Sequence, residues 1–96
     1  MRRVEIAALA ALELADAHDW YEDREAGIGE DLLAEFQQAC SRIGDRPEAF
    51  PKVQGDTRRA LLKRFPYGVY FIVRDEVVSI TAFFHARRHP RHRVGR

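Results

Sequence analysis

The 96-residue chain has the composition of one small soluble domain, since 46% of its residues are hydrophobic, 32% are charged, and its formal net charge is +1. This apolar content excludes a disordered chain, and no apolar run reaches the ~18 residues that a membrane-spanning helix needs. Glu5, Glu13 and Asp16 interrupt the Ala/Leu-rich N-terminal stretch, where a secretory signal would need an unbroken apolar core. We therefore expect a cytoplasmic protein that does not bind a membrane.

Residues 3–7 (RVEIA) alternate apolar and polar side chains, which predicts a short strand. From about Ala8 the stretch ALAALELADAHDWYEDRE repeats apolar residues on one helical face, and Gly27 and Gly29 end that pattern. A second helix, GEDLLAEFQQACSRIGD, carries a continuous apolar stripe with acidic residues in its first turn. The short Gly-containing link predicts an antiparallel helix hairpin. Cys40, the only cysteine, lies in the second helix, where packing is its expected role.

The second half predicts an extended connector between Pro47 and Pro51, followed by the strand-like runs TRRALLKRF, YGVYFIVR and VVSITAFFHA. In the last run, alternation predicts two faces, Val78/Ile80/Ala82/Phe84 and Ser79/Thr81/Phe83/His85. Short links between the runs make neighbouring strands antiparallel. The predicted fold is therefore α+β, with the order β-α-α-β-β-β in a single domain over residues 1–96. Its helix hairpin packs on a mainly antiparallel four-stranded sheet, with the first strand at an edge.

The near-neutral total conceals an uneven charge distribution. Residues 1–48 contain 5 Lys/Arg and 12 Asp/Glu, a net charge of −7, whereas residues 49–96 contain 11 and 3, a net charge of +8. The two halves could simply neutralise each other, or the basic half could bind an acidic or polyanionic partner. In the predicted fold the acids lie on the exposed side of the helix layer, while the open face of the sheet and the tail are basic. This separation favours the partner.

The basic residues fall into two groups, one on the first strand of the meander and one at the end of the last strand. They are Arg58, Arg59, Lys63 and Arg64, then Arg87, Arg88, Arg91, Arg93 and Arg96. Arginine is suited to bidentate contacts with phosphate or carboxylate. Tyr67, Tyr70 and Phe83 could supply stacking surface, although core packing is the preferred interpretation for Tyr67 and Phe83.

His85, His89 and His92 follow the spacing H-x₃-H-x₂-H. We expect no metal site there, because no acidic or thiol ligand lies close in sequence and Pro90 interrupts any helix. His85 begins the basic tail, where it could act as a general acid or base, contact phosphate, or merely cap a carbonyl. Gly-rich phosphate loops, nucleophile elbows and paired-cysteine sites are absent from the sequence, so no cofactor is expected.

The chain resembles the RelE/ParE superfamily, the toxins of type II toxin–antitoxin systems. The resemblance lies in the element order and in three patterns: WYED followed by GIGEDLL, the block RRALLKRFPYGVYFIV, and the ending FFHARRHP. It extends over nearly the whole chain and is strongest from FPYGVYF to FHARRHP. It implies a small cytoplasmic toxin, of the kind associated with plasmid stabilisation, that inhibits growth unless an acidic or amphipathic antitoxin binds it in a hetero-oligomer.

The superfamily has branches with different targets. RelE-type toxins cut mRNA in the ribosomal A site with dispersed Lys, Arg and Tyr residues and no metal, whereas ParE-type toxins inhibit DNA gyrase. Lys63 or Arg64 matches a basic residue of the first meander strand, and Arg87 or Arg88 matches the arginine after the last strand. Gly68 stands where the RelE-type middle-strand arginine is expected, and the tail RHRVGR has no terminal tyrosine.

These departures favour a ParE-like toxin that acts on gyrase, as does the long, matched helix hairpin. Cleavage by 2′-OH attack would need a base, a charge-stabilising group and an acid. As an RNase, the chain would have to use His85, Arg87 and Lys63 as catalytic residues. The alternatives are thus a ribosome-dependent mRNA endoribonuclease and a non-toxic nucleic-acid-binding module, whose sign would be salt-dependent binding to free DNA or RNA. The residues expected to bind target or antitoxin are Arg58, Arg59, Arg64, Tyr70, Arg88 and Arg91.

Overall fold

The computed structural model describes residues 2–87. In chain order its elements are β1 (Arg3–Ile6), α1 (Ala8–Arg24), α2 (Ile28–Asp45), a 3-10 turn (Pro47–Ala49), β2 (Lys52–Gln54), β3 (Thr57–Leu61), β4 (Tyr67–Arg74) and β5 (Val77–His85). The predictions for Arg88, His89, Arg91, His92, Arg93 and Arg96 lie outside the described residues. The α+β architecture, a helix hairpin on one sheet, is confirmed.

The sheet is mixed, with the strand order β1-β5-β4-β3-β2. β1 pairs in parallel with β5 at one edge, as predicted for the first strand, and the other pairs are antiparallel. The sheet has five strands in the described chain and not the predicted four, because Lys52–Gln54 pairs with β3. Sequence alternation did not reveal this strand since it is only three residues long and all of them are exposed.

The connector before β2 also differs from the prediction. Pro47–Ala49 forms a 3-10 turn in place of an extended segment, and the N–H of Phe50 donates to the carbonyl of Pro47. Proline is well suited to the first turn of a helix, because its fixed φ is helical and no intrahelical donor is lost there. The turn leads the chain from the end of α2 to the edge of the sheet that β2 forms.

The two helices cover one face of the sheet. On α1, Ala10 and Ala17 are buried, while Leu14 and Tyr21 pack against the core, which confirms the predicted apolar face. The stripe of α2 supplies larger side chains to the core that both helices share with the sheet. The main buried members are Leu32, Phe36, Ile43, Val69, Phe71, Val78, Ile80 and Phe83.

A β-bulge in β5 changes the predicted faces of that strand. Tyr70 of β4 pairs with Ala82, but the next residue, Phe71, pairs with Ile80, so Thr81 is the extra residue. The predicted alternation is therefore wrong beyond Ile80. Phe83 joins Val78 and Ile80 in the core beneath the helices, whereas Tyr70, Ala82 and Phe84 form a separate cluster on the opposite face.

Glu13 of α1 stabilises this bulge. Its carboxylate accepts the N–H of Phe83 at 2.9 Å, and the Thr81 hydroxyl donates to the carbonyl of Tyr70 at 3.4 Å. A bulge disrupts the local ladder of hydrogen bonds, and a buried amide without an acceptor is costly. The first helix thus supplies an acceptor at the point where β5 changes face.

Candidate functional site

The link between β3 and β4 meets the end of β5 at one end of the sheet. The N–H of Leu62 donates to Tyr67 at 3.0 Å, and the N–H of Ala86 donates to Pro66 at 2.9 Å. Tyr67 and His85 are register partners at the same end. This geometry brings Lys63 and Arg64 of the first predicted group to the same end of the sheet as Arg87 of the second. We call the surface the basic end and define it by four residues: Lys63, Arg64, His85 and Arg87.

Glu35 of α2 holds the β3–β4 link. Its Oε1 accepts the N–H groups of Lys63 at 2.5 Å and Arg64 at 2.9 Å, and its Oε2 accepts Nε of Arg64 at 3.0 Å. Burial opposes ionisation of this carboxyl, which is only 6% exposed. The hydrogen bonds from Arg64, the N–H of Lys63 and the Arg64 charge outweigh burial, so the pKa of Glu35 lies below its usual value.

The cations of the basic end consequently differ in their contacts. Arg64 forms an ion pair with Glu35, although its own side chain is 63% exposed. Within residues 2–87, neither Lys63 nor Arg87 forms an ion pair with a carboxylate. Both are exposed. An incoming acidic or phosphate group therefore finds two cations that have no competing acidic partner in the described chain.

His85 lies on the helix side of the basic end. Its ring centroid is 5.7 Å from that of Tyr67, whose ring stacks on Phe83 at 5.0 Å. The N–H of Arg87 donates to Nδ1 of His85 at 3.1 Å. Because Nδ1 accepts a hydrogen bond, the neutral ring carries its proton on Nε2. The bond also ties the backbone at Arg87 to the end of β5.

Arg58 and Arg59 point to opposite sides of β3. Arg58 pairs in register with Phe71, on the helix side, and its guanidinium donates to the carbonyls of Phe50 at 2.6 Å and Glu48 at 3.4 Å. It therefore holds the connector that precedes β2. Arg59 pairs in register with Tyr70 on the opposite face, and its Nε is buried without a hydrogen-bond partner within the described residues.

Tyr70 does not present its ring as an exposed stacking surface. The side chain is 2% exposed, and its ring stacks on Phe84 at a centroid distance of 4.4 Å. A Cβ at Gly68 would lie 3.0 Å from the Tyr70 ring. The position where a RelE-type toxin would carry an arginine is thus a glycine here, and the neighbouring Tyr70 ring leaves little room for a side chain at it.

Other candidate chemistry is limited in residues 2–87. No group of three or more His, Cys, Asp or Glu residues there could hold a metal ion. Among those residues no helix is both long and apolar enough to span a membrane. Burial raises the pKa of the Cys40 thiol to about 11, so the thiol stays protonated and unreactive near neutral pH.

The model of the family described as the ParE toxin of the type II toxin–antitoxin system, parDE, matches residues 4–90. The chain belongs to this ParE toxin family. The ParDE toxin–antitoxin system of P. aeruginosa has a similar fold, with a TM-score of 0.66 and 18% identity over 88% of this chain and 96% of that chain. The E. coli RelBE toxin–antitoxin complex is similar at a TM-score of 0.58, with 22% identity over 92% and 100%. No functionally curated protein matches the sequence.

The sequence did not single out Glu13 and Glu35 of this ParE-family fold, because the acids of the helix layer were expected on its exposed side. A signal was present for Glu35, which lies three residues after Leu32 and four before Ala39, beside the buried stripe of α2. An acid in that position needs a partner once the helix packs. The identity of the partner, residues 63 and 64, depends on the tertiary fold.

Proposed function

We propose that this chain is the toxin of a type II toxin–antitoxin system, that it inhibits growth by acting on DNA gyrase in the cytoplasm, and that a cognate antitoxin neutralises it. The observation that carries the proposal is the basic end of a ParE-family fold, where Lys63 and Arg87 form no ion pair within the described residues. Such cations are suited to an acidic protein surface or to the phosphates of gyrase-bound DNA.

An antitoxin with an acidic segment would neutralise the same charges. The similar structures of ParDE and RelBE are toxin–antitoxin systems, and residues 49–96 of this chain have a net charge of +8. Charge complementarity speeds association and fixes orientation more than it adds affinity. We therefore propose a toxin–antitoxin hetero-oligomer in which the antitoxin covers the basic end and excludes the target.

A growth assay with charge-matched variants tests this proposal. We expect induction of the wild-type chain to arrest growth, and Lys63→Ala with Arg87→Ala to relieve the arrest. The control is Lys52→Ala with Arg74→Ala, which removes two cations at exposed positions outside the basic end. It should remain toxic. Equal toxicity of both folded double variants would contradict a role for the basic end.

Ribosome-dependent mRNA cleavage is the second candidate. The observation that favours it is His85, which lies at the basic end with its neutral ring protonated on Nε2, where it could donate a hydrogen bond to a phosphate oxygen. Cleaved mRNA on ribosomes and its loss in His85→Ala would support this candidate. A folded chain that does not arrest growth but binds free DNA or RNA with a strong salt dependence would instead favour a non-toxic binding module.

A further inference from the structure

We propose that Glu35 is a positioning residue of the basic end, and that Arg64 serves as its anchor while Lys63 and Arg87 make the target contacts. This inference rests on the proposed function and divides its cations into supporting and contacting groups. Glu35 contributes no positive charge and belongs to the opposite layer of the fold. Its carboxylate nevertheless binds two consecutive residues of the link that carries the cations.

The backbone of the link needs this acceptor. The hairpin closes through the N–H of Leu62, which donates to Tyr67, and through Pro66, which accepts from Ala86. Between these bonds the N–H groups of Lys63 and Arg64 both point to one oxygen of Glu35. One helix carboxylate therefore fixes the segment of the link that is not held by the sheet.

The anchoring role also accounts for the contacts that Arg64 makes. Its Nε donates to Oε2 of Glu35 at 3.0 Å, so the guanidinium is oriented from within the protein and satisfies a carboxylate that is 6% exposed. Because this pair is locally neutral, the unpaired positive charge of the link resides on Lys63. Fixing the backbone at residue 63 limits where its ammonium can go, which lowers the ordering cost on binding.

The test compares Glu35→Gln with Glu13→Gln in the full-length chain. Both substitutions remove the charge of a helix glutamate that accepts a backbone N–H, but Glu13 accepts that of Phe83 at the bulge of β5, whereas Glu35 accepts those of Lys63 and Arg64 in the link. Glutamine at residue 35 keeps one oxygen acceptor and presents an amide to Arg64, so we expect a folded chain. We expect about a tenfold rise in the toxin concentration needed for target inhibition for Glu35→Gln, and little change for Glu13→Gln.

A spectroscopic measurement separates positioning from general stability. In the wild type, the amide proton shifts of Lys63 and Arg64 should titrate together at acidic pH, with a midpoint below that of an ordinary glutamate. This titration should vanish in Glu35→Gln and persist in Glu13→Gln. Arg64→Ala should weaken the wild type more than it weakens Glu35→Gln, because the two residues act as one unit.

Three outcomes would overturn the inference. Wild-type potency in folded Glu35→Gln and Glu35→Ala chains would show that the contact with Glu35 is not needed, since alanine also removes the oxygen that accepts the two N–H groups. Equal losses for Glu35→Gln and Glu13→Gln would assign the effect to overall stability. Additive effects of Arg64→Ala and Glu35→Gln would make Arg64 an independent contact. A wild-type chain that never arrests growth would instead refute the proposed function, which the growth assay alone reveals.

Discussion

Gly68 and Tyr70 make a close contact on the face of the sheet opposite the helices. Tyr70 is buried against Phe84, and its ring approaches Gly68 so closely that a Cβ there would lie 3.0 Å away. The sequence placed a glycine where the RelE-type pattern has an arginine, but it could not say why. The reason is a contact within β4, between residues two apart on the same face of the strand.

Substitution of Gly68 by alanine tests that contact. We expect Gly68→Ala to lower the free energy of unfolding by about 1–3 kcal/mol, since the ring or the strand must shift to admit the methyl group. Chemical denaturation measures the loss. In a Tyr70→Ala background the same substitution should cost much less. An equal cost in both backgrounds would mean that the ring is not the obstacle.

Polar contacts at the turn between α1 and α2 stabilise the helix hairpin. The Glu22 carboxylate at the end of α1 accepts the N–H groups of Gly27 and Gly29, each at 2.8 Å. These hydrogen bonds, above all the one from Gly27, lower the pKa of Glu22 below its ordinary value. His18 joins the same turn through Glu30, at 3.2 Å from Nε2. The first turn of α2 is thus capped by side chains of the preceding helix.

The stability of this hairpin should depend on pH through His18. The hydrogen bond with Asp19 raises the pKa of His18, burial partly opposes the rise, and Glu30 adds to it. A raised folded-state pKa stabilises the protein below about pH 6.5, and this contribution disappears as the pH rises through the folded-state pKa. Thermal unfolding from pH 5 to 9 should show this loss in the wild type and not in His18→Gln. Parallel profiles would contradict it.

The elements differ in how far the sequence could predict them. The two helices and the long strands were predicted because their apolar periodicity is sustained over many residues. β2 was missed because three exposed residues carry no periodic signal. The bulge at Thr81 was missed because alternation continues in the sequence on both sides, and only the pairing with Tyr70 and Phe71 reveals the extra residue.

The uneven distribution of acidic and basic residues is a property of the whole molecule. The sequence predicted that the two basic groups could share a surface, because their strands belong to the same sheet. The bond from Ala86 to Pro66 places Lys63, Arg64 and Arg87 at one end of that sheet. The sequence could not predict that Glu35 would reach Arg64, since that contact joins residues 29 positions apart. The positive charge of this surface could therefore be inferred from composition, but the carboxylate of Glu35 that binds it could not.

A gyrase supercoiling assay with the purified, antitoxin-free chain tests the proposed action on gyrase. The wild type should inhibit supercoiling, and Lys63→Ala with Arg87→Ala should inhibit far less while remaining folded. Lys52→Ala with Arg74→Ala should behave as the wild type, since those residues lie outside the basic end. Addition of the cognate antitoxin should restore supercoiling. A folded, growth-arresting wild-type chain that leaves gyrase unaffected would contradict the proposed target and favour mRNA on the ribosome.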